Sequence, residues 1–247
     1  MSLNALQLVT LIDDNCGTTS TSYPTAKKVV DINLALDKFM SIALPASGIW
    51  HLDDSNHTDY PILTTNLVSG QRDYSFTVDE NDNLILEIYR VMVADEDGVF
   101  YDITQIDQNQ SNAQSLSMVD GQDTEGAITK YNKTANGIFL DAIPNYSKTG
   151  GLKVFIDREA SYFTALDTFY TTKKPGFAGI LHEYLAIRPS YYFALRKGLK
   201  NATALGNELL KYEGDERLGI PGSIGEFYSK RNKDQKNQII PKYRSSR

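Results

Sequence analysis

The feature that most constrains this chain is a change of hydrophobic period, made twice. Residues 25–44 read "TAKKVVDINLALDKFMSIAL", with apolar side chains at Val29, Ile32, Leu36, Phe39, Ile42 and Ala43. Spacings of three and four line one face of a helix. Between 62 and 160 the period drops toward two, and "RDYSFTV" and "LILEIYRVMVA" alternate as half-buried strands do. From Pro175 the helical spacing returns in "GFAGILHEYLAIRPSYYFALRKG". There Ile180, Leu181, Tyr184 and Leu185 share a face, with Tyr192 and Leu195 further along it. A chain helical at both ends and stranded in its middle is expected to be an α+β protein. The expected architecture is a helical bundle of N- and C-terminal helices with an inserted antiparallel β-sandwich or barrel-like domain. The boundaries fall at 1–46 for the first helices, 47–170 for the β-domain, 171–233 for the last helices and 234–247 for an extended basic tail.

Local signals punctuate this plan. Leu6, Val9 and Ile12 predict a short helix within residues 4–14, stopped by Gly17. Thr25 is placed to cap the next helix, and Pro45 to end it. "DEDG" at 95–98 reads as the turn of a hairpin spanning 84–106. "AITKY" and "GIFLDAI" predict a second hairpin, and "GLKVFIDREA" a further strand. Residues 107–126 are polar and loop-like. Pro189 is expected to kink or split its helix and Gly198 to close it. Asn201 is placed to cap the following helix, and Ser223 with Glu226 forms a capping-box pattern before the last one. The final ten residues, "QIIPKYRSSR", lack helical period and read as extended.

At 247 residues and 41% hydrophobic, the chain can bury a sizeable core. A single cysteine, Cys16, excludes an internal disulfide and fits a reducing compartment. No basic residue precedes Lys27, so no secretory signal is expected, and no apolar run approaches bilayer length. The net charge of -6 is polar in its distribution. Residues 1–195 carry thirteen Lys/Arg and 25 Asp/Glu, whereas residues 196–247 carry twelve and six. A basic end on an acidic body points to a partner, or to a solvated terminus.

The chemistry-bearing cluster is "SGIWHLDDSNHTDYPI", residues 47–62. A calcium loop begun at Asp54 would place oxygen ligands at Asn56 and Thr58, but its sixth position is Asp59 rather than Gly and its twelfth is Thr65. Zinc would need His51, His57 and the distant His182 without a cysteine nearby. Adjacent acids such as Asp53 and Asp54 are commonly caps and turn formers. The better reading is a structural corner in which Trp50 plugs an apolar gap and Asp53, Asp54, Asn56 and Asp59 tie the loop backbone. No phosphate-loop, dinucleotide-binding, zinc-protease or serine-hydrolase motif occurs. Cys16 carries no local sign of activation. Tyr191 and Tyr192 have the chemistry to stack on bases, but their spacing from Leu195 reads as core. These residues predict neither an enzyme nor a cofactor.

Several of these stretches together resemble one family. They are "DINLALDKFMSIAL", "SGIWHLDDSNHTDYPI", "TTNLVSGQRDYSF", "KKPGFAGILHEYLAIRPSYYFALRKGLKNA" and "FYSKRNKDQKNQIIPKYR". They resemble the head-to-tail adaptor (connector, head-completion or tail tubular) proteins of tailed bacteriophages, most closely at Trp50–Pro61 and Arg231–Arg244. The 107–125 loop falls outside the resemblance. It implies a non-enzymatic, dodecameric ring in the virion, made in the host bacterial cytoplasm. The ring would join the capsid portal to the tail or its nozzle and line the DNA channel, without sequence-specific DNA binding and without a membrane. An acidic body suits a channel through which DNA slides, because cationic walls bind phosphates. In the tail, Lys236, Ile239, Ile240, Pro241, Lys242, Tyr243 and Arg244 are then the expected portal-binding residues. Two further readings stay open. One is another phage ring or tail component, such as a stopper or tail-side protein. The other is a carbohydrate- or receptor-binding β-module with an aromatic-lined pocket.

Overall fold

The computed structural model describes residues 2–47, 62–79, 82, 84–106, 125–134, 137–169, 173–215 and 217–231. Among these residues the chain is α+β, with five α-helices and a curled, half-barrel sheet of seven strands. It divides into two units: Met1–Ser55 with Ala160–Arg247, and Asn56–Glu159. The second is therefore inserted, in sequence, within the first.

The first unit holds α1 (Ala5–Cys16), α2 (Thr25–Ser47), α3 (Tyr184–Lys197), α4 (Ala202–Glu213) and α5 (Ser223–Arg231). Helix α1 opens with a capping box, in which Asn4 Oδ1 accepts the Gln7 N–H and Gln7 Oε1 accepts the Asn4 N–H. It closes on Gly17 in the left-handed conformation, φ 59°, as the glycine signal predicts. Val29, Ile32, Leu36, Phe39 and Ala43 of α2 are buried, on the face their spacing defines. Phe39 stacks on Phe177 with ring centroids 3.9 Å apart, and Tyr23 stacks on Phe193 at 4.3 Å. Gly198, also left-handed, ends α3.

Several local expectations are corrected. Helix α2 runs through Pro45 to Ser47. The amide Pro45 lacks would have bonded the Ser41 carbonyl alone, so the loss is confined to the last turn. Helix α3 likewise continues through Pro189 instead of splitting. The missing donor there faces Leu185, the second residue of the helix, and a single bond is lost. Thr25 lies inside α2, and Pro24 C=O accepts the Lys28 N–H at the cap position. Asn201 sits at the α4 cap, but its amide donates to the Asn15 carbonyl, 2.6 Å, tying α4 to the end of α1. The α5 cap falls at Gly222, whose carbonyl accepts the Glu226 N–H, so Ser223 is the first helical residue. A Cβ on Gly222 would lie 2.1 Å from the Tyr212 carbonyl oxygen, and only glycine fits that approach.

The second unit holds β1 (Ile62–Leu67), β2 (Asp73–Ser75), β3 (Ile85–Ala94), β4 (Phe100–Gln105), β5 (Lys130–Thr134), β6 (Gly137–Leu140) and β7 (Lys148–Arg158). Their order across the sheet is β1-β7-β3-β4-β5-β6-β2. Both predicted hairpins are present as antiparallel pairs, β3 with β4 and β5 with β6. The expected all-antiparallel sheet is corrected, because β4 pairs with β5 in parallel at Thr104–Lys130 and Gln105–Tyr131. Leu152, Val154 and Ile156 of β7 alternate onto the buried face with Val91 and Val93 of β3. Each such side chain contributes about 1.5–3 kcal/mol by leaving water. A two-stranded ladder of β8 (Gly214–Asp215) and β9 (Ile220–Pro221) joins α4 to α5.

Candidate functional site

The site grows from the outward face of α2. With Val29, Ile32 and Leu36 inside, Val30 and Leu34 must point outward, and they are 50% and 51% exposed. Neither side chain follows the rule that an exposed stripe is polar. Helix α3 contributes a matching anomaly. Its buried face is Tyr184, Leu185, Ala186, Ser190, Phe193 and Ala194, which leaves Tyr192 and Leu195 exposed. The sequence places those two, and Ile180, in the core; all three are exposed, while Tyr191 is partly buried against the core.

Between the two helices lies a notch of about 260 Å³, lined by Asp31, Leu34, Arg188, Pro189, Tyr192 and Arg196. Its charged groups are held in place from behind. Tyr23 OH donates to Asp31 Oδ2, and Lys27 Nζ donates to Asp31 Oδ1 at 2.9 Å. Arg196 reaches Asp31 at 3.5 Å and donates through Nε to the Tyr192 carbonyl at 3.2 Å. Arg188 donates to Glu213 Oε1 at 3.0 Å, an oxygen that also accepts from Tyr184 OH at 2.7 Å. The Arg188 guanidinium sits 4.9 Å from the Tyr192 ring centroid.

Burial pushes the Tyr23 phenol well above its ordinary value, and the adjacent Asp31 adds to the shift. Burial and the Glu213 charge do the same for Tyr184. Both phenols are fixed as neutral donors and do not serve as bases. The notch therefore offers an apolar floor, one half-exposed aromatic ring, two guanidinium groups and the Asp31 carboxylate, which already engages Arg196 and Lys27. That combination recognises an apolar side chain accompanied by carboxylates. Its trace in the sequence is Leu34, an apolar residue off the buried face.

The predicted structural corner, Trp50, Asp53, Asp54, Asn56 and Asp59, lies outside the described residues, as do His51 and His57. So do the predicted portal-binding residues Lys236, Ile239, Ile240, Pro241, Lys242, Tyr243 and Arg244. His182 is 1% exposed. Its Nδ1 accepts the Leu3 N–H at 3.0 Å, so Nε2 carries the proton and donates to the Phe177 carbonyl at 2.8 Å. Both ring nitrogens are spent on backbone groups. Among the described residues, no three His, Cys, Asp or Glu side chains are grouped to hold a metal ion. Cys16 is buried against α3, its thiol 3.7 Å from the Ser190 carbonyl, and burial pushes its pKa up. No helix among the described residues is long and apolar enough to cross a membrane. No protein-family model matches the chain, and no curated protein matches it.

Proposed function

We propose that this chain is a structural ring subunit of a phage virion, a head-to-tail adaptor that joins the capsid portal to the tail and lines the DNA channel. In this reading the five helices form the bundle of the adaptor, and the basic end of the chain docks on the portal. The protein works by assembly and not by catalysis. The observation that carries the reading is that both units of the chain leave large apolar side chains exposed. The helical unit exposes Val30, Leu34, Tyr192 and Leu195; the sheet unit exposes Leu84, Leu86 and Val99. Where such side chains adjoin, as Leu34 and Tyr192 do at one notch, they favour association. Two unlike surfaces suit a head-to-tail contact, which closes into a ring when its rotation closes. The charge polarity supports the same reading, with an acidic body for sliding DNA and a basic end for a partner.

The test is co-sedimentation with purified portal rings. Alone, the chain is expected to sediment chiefly as one subunit of 27.6 kDa. With portal present it is expected to move with the portal in fixed stoichiometry, and less so as salt rises. A chain that stays at the monomer position at every salt concentration contradicts the reading.

A further inference from the structure

We propose that the α2–α3 notch receives the β3–β4 turn of a second copy of this chain, as the contact between neighbouring subunits. The inference rests on the ring reading above and names the surfaces that would make the ring.

The turn has the form of a knob. The Asp95 N–H donates to the Val99 carbonyl and the Gly98 N–H to the Asp95 carbonyl, each at 3.0 Å. The Val99 N–H donates to Asp95 Oδ1 at 2.8 Å. Lys148 Nζ donates to the Glu96 carbonyl at 2.8 Å. Gly98 takes φ 89°, open to glycine, which lets the chain reverse. A turn tied this way has little conformational freedom to lose on docking. Opposite Asp95 at the base of the turn, Val99 is 63% exposed. Glu96 and Asp97 are exposed beside it, and among the described residues neither carboxylate has a partner.

The notch is the complement. Leu34, Pro189 and the Tyr192 ring offer apolar contact, Arg188 and Arg196 flank them, and the Asp31 carboxylate beside them is already met by Lys27, Arg196 and the Tyr23 hydroxyl. Arg188 spends only Nε on Glu213, and Arg196 spends Nε and one Nη on Tyr192 and Asp31. Among the described residues, the other guanidinium donors have no acceptor. The volume of about 260 Å³ is small beside the roughly 300–1,000 Å³ of small-molecule sites and suits a single aliphatic side chain. Val99 would fill the notch while Glu96 and Asp97 meet the two arginines. The surfaces are unlike, so the contact runs in one direction from copy to copy, as a ring requires.

The experiment uses Cys16 to advantage, since it is buried and is the single native cysteine. Leu34→Cys and Val99→Cys are made in separate full-length proteins, mixed at high concentration and mildly oxidised. The mixed disulfide dimer should exceed either self-dimer by about tenfold. Asp97→Arg in the Val99→Cys protein should bring it down to the self-dimer level. Adding Arg196→Glu to the Leu34→Cys protein should restore it. Asp97 sits at the exposed tip of the turn, so its replacement tests the contact even if Arg196→Glu fails to fold. Mixed dimers no more abundant than self-dimers, or insensitive to the charge swap, would overturn the proposal. Electron micrographs of the wild-type chain with portal separate the two levels. Rings without the mixed disulfide sink this contact alone, whereas absence of rings sinks the ring reading.

Discussion

Lys28 is the most exacting single residue. Its side chain is fully buried, and its ammonium meets both carboxylate oxygens of Asp13 at 2.6 Å. Removing one partner of such a pair strands the other charge in a low dielectric. Asp13→Ala is expected to cost about 3–5 kcal/mol, read as a fall in the urea midpoint at unchanged slope. Adding Lys28→Met should recover much of that loss. A second residue-scale prediction concerns acid. Burial alone would raise the Asp167 carboxyl, but the Thr164 N–H and hydroxyl and the Lys173 ammonium outweigh it and hold it below its usual range. A depressed folded pKa stabilises above the unfolded value and is lost as pH falls. Wild type should therefore lose stability below about pH 4 more steeply than Asp167→Asn, in parallel denaturation series. Neither pair was legible in the sequence. Asp13 and Lys28 are joined by a loop and carry no mutual spacing rule, and Lys28 interrupts an apolar stripe as a surface lysine would.

At the scale of elements, the large apolar residues predicted helices and strands, while small ones set how they pack. Ala186, Ser190 and Ala194 recur at every fourth position of α3 and are fully buried. Ser190 Oγ accepts from Asn15 at 3.3 Å, so α1 lies close against this stripe. Hydrophobic periodicity weights bulk, so Tyr192 and Leu195 stand out in the sequence and this stripe of small residues does not. Ala194→Leu should overpack this region and destabilise by about 1–3 kcal/mol, measured by thermal or urea unfolding. The strands were legible from alternation, as in Leu152, Val154 and Ile156, and the two hairpins from their turns. The parallel β4–β5 pair was not. Its register joins Thr104 to Lys130 across a long stretch of chain, and no local pattern encodes a distant partner.

At the scale of the whole molecule, tyrosine burial governs behaviour in alkali. Burial is the leading cause that raises Tyr23, Tyr74, Tyr101, Tyr131, Tyr146, Tyr184 and Tyr212 above the ordinary phenol value, Tyr146 to about 12. A raised folded pKa gives stability that is complete below the unfolded value and is lost as pH rises through the folded one. Stability should thus decline from about pH 10 upward. The tyrosinate absorbance of these buried phenols should rise together with the loss of circular dichroism as the chain unfolds.

The same scale carries the functional claim. The notch was not legible in the sequence: Leu34 stands off the helical stripe, but no local pattern pairs it with arginines on another helix. Arg188 and Arg196 look like ordinary surface cations until α2 and α3 bring them beside Leu34 and Tyr192. In the proposed reading, unlike surfaces on one chain close a ring on a phage portal. Negative-stain imaging of the purified chain mixed with its portal tests this most directly. Added density at one end of each portal is expected, averaging to a ring with a central channel and the portal's rotational symmetry. Bare portals beside free single subunits, at low salt and excess chain, would contradict it.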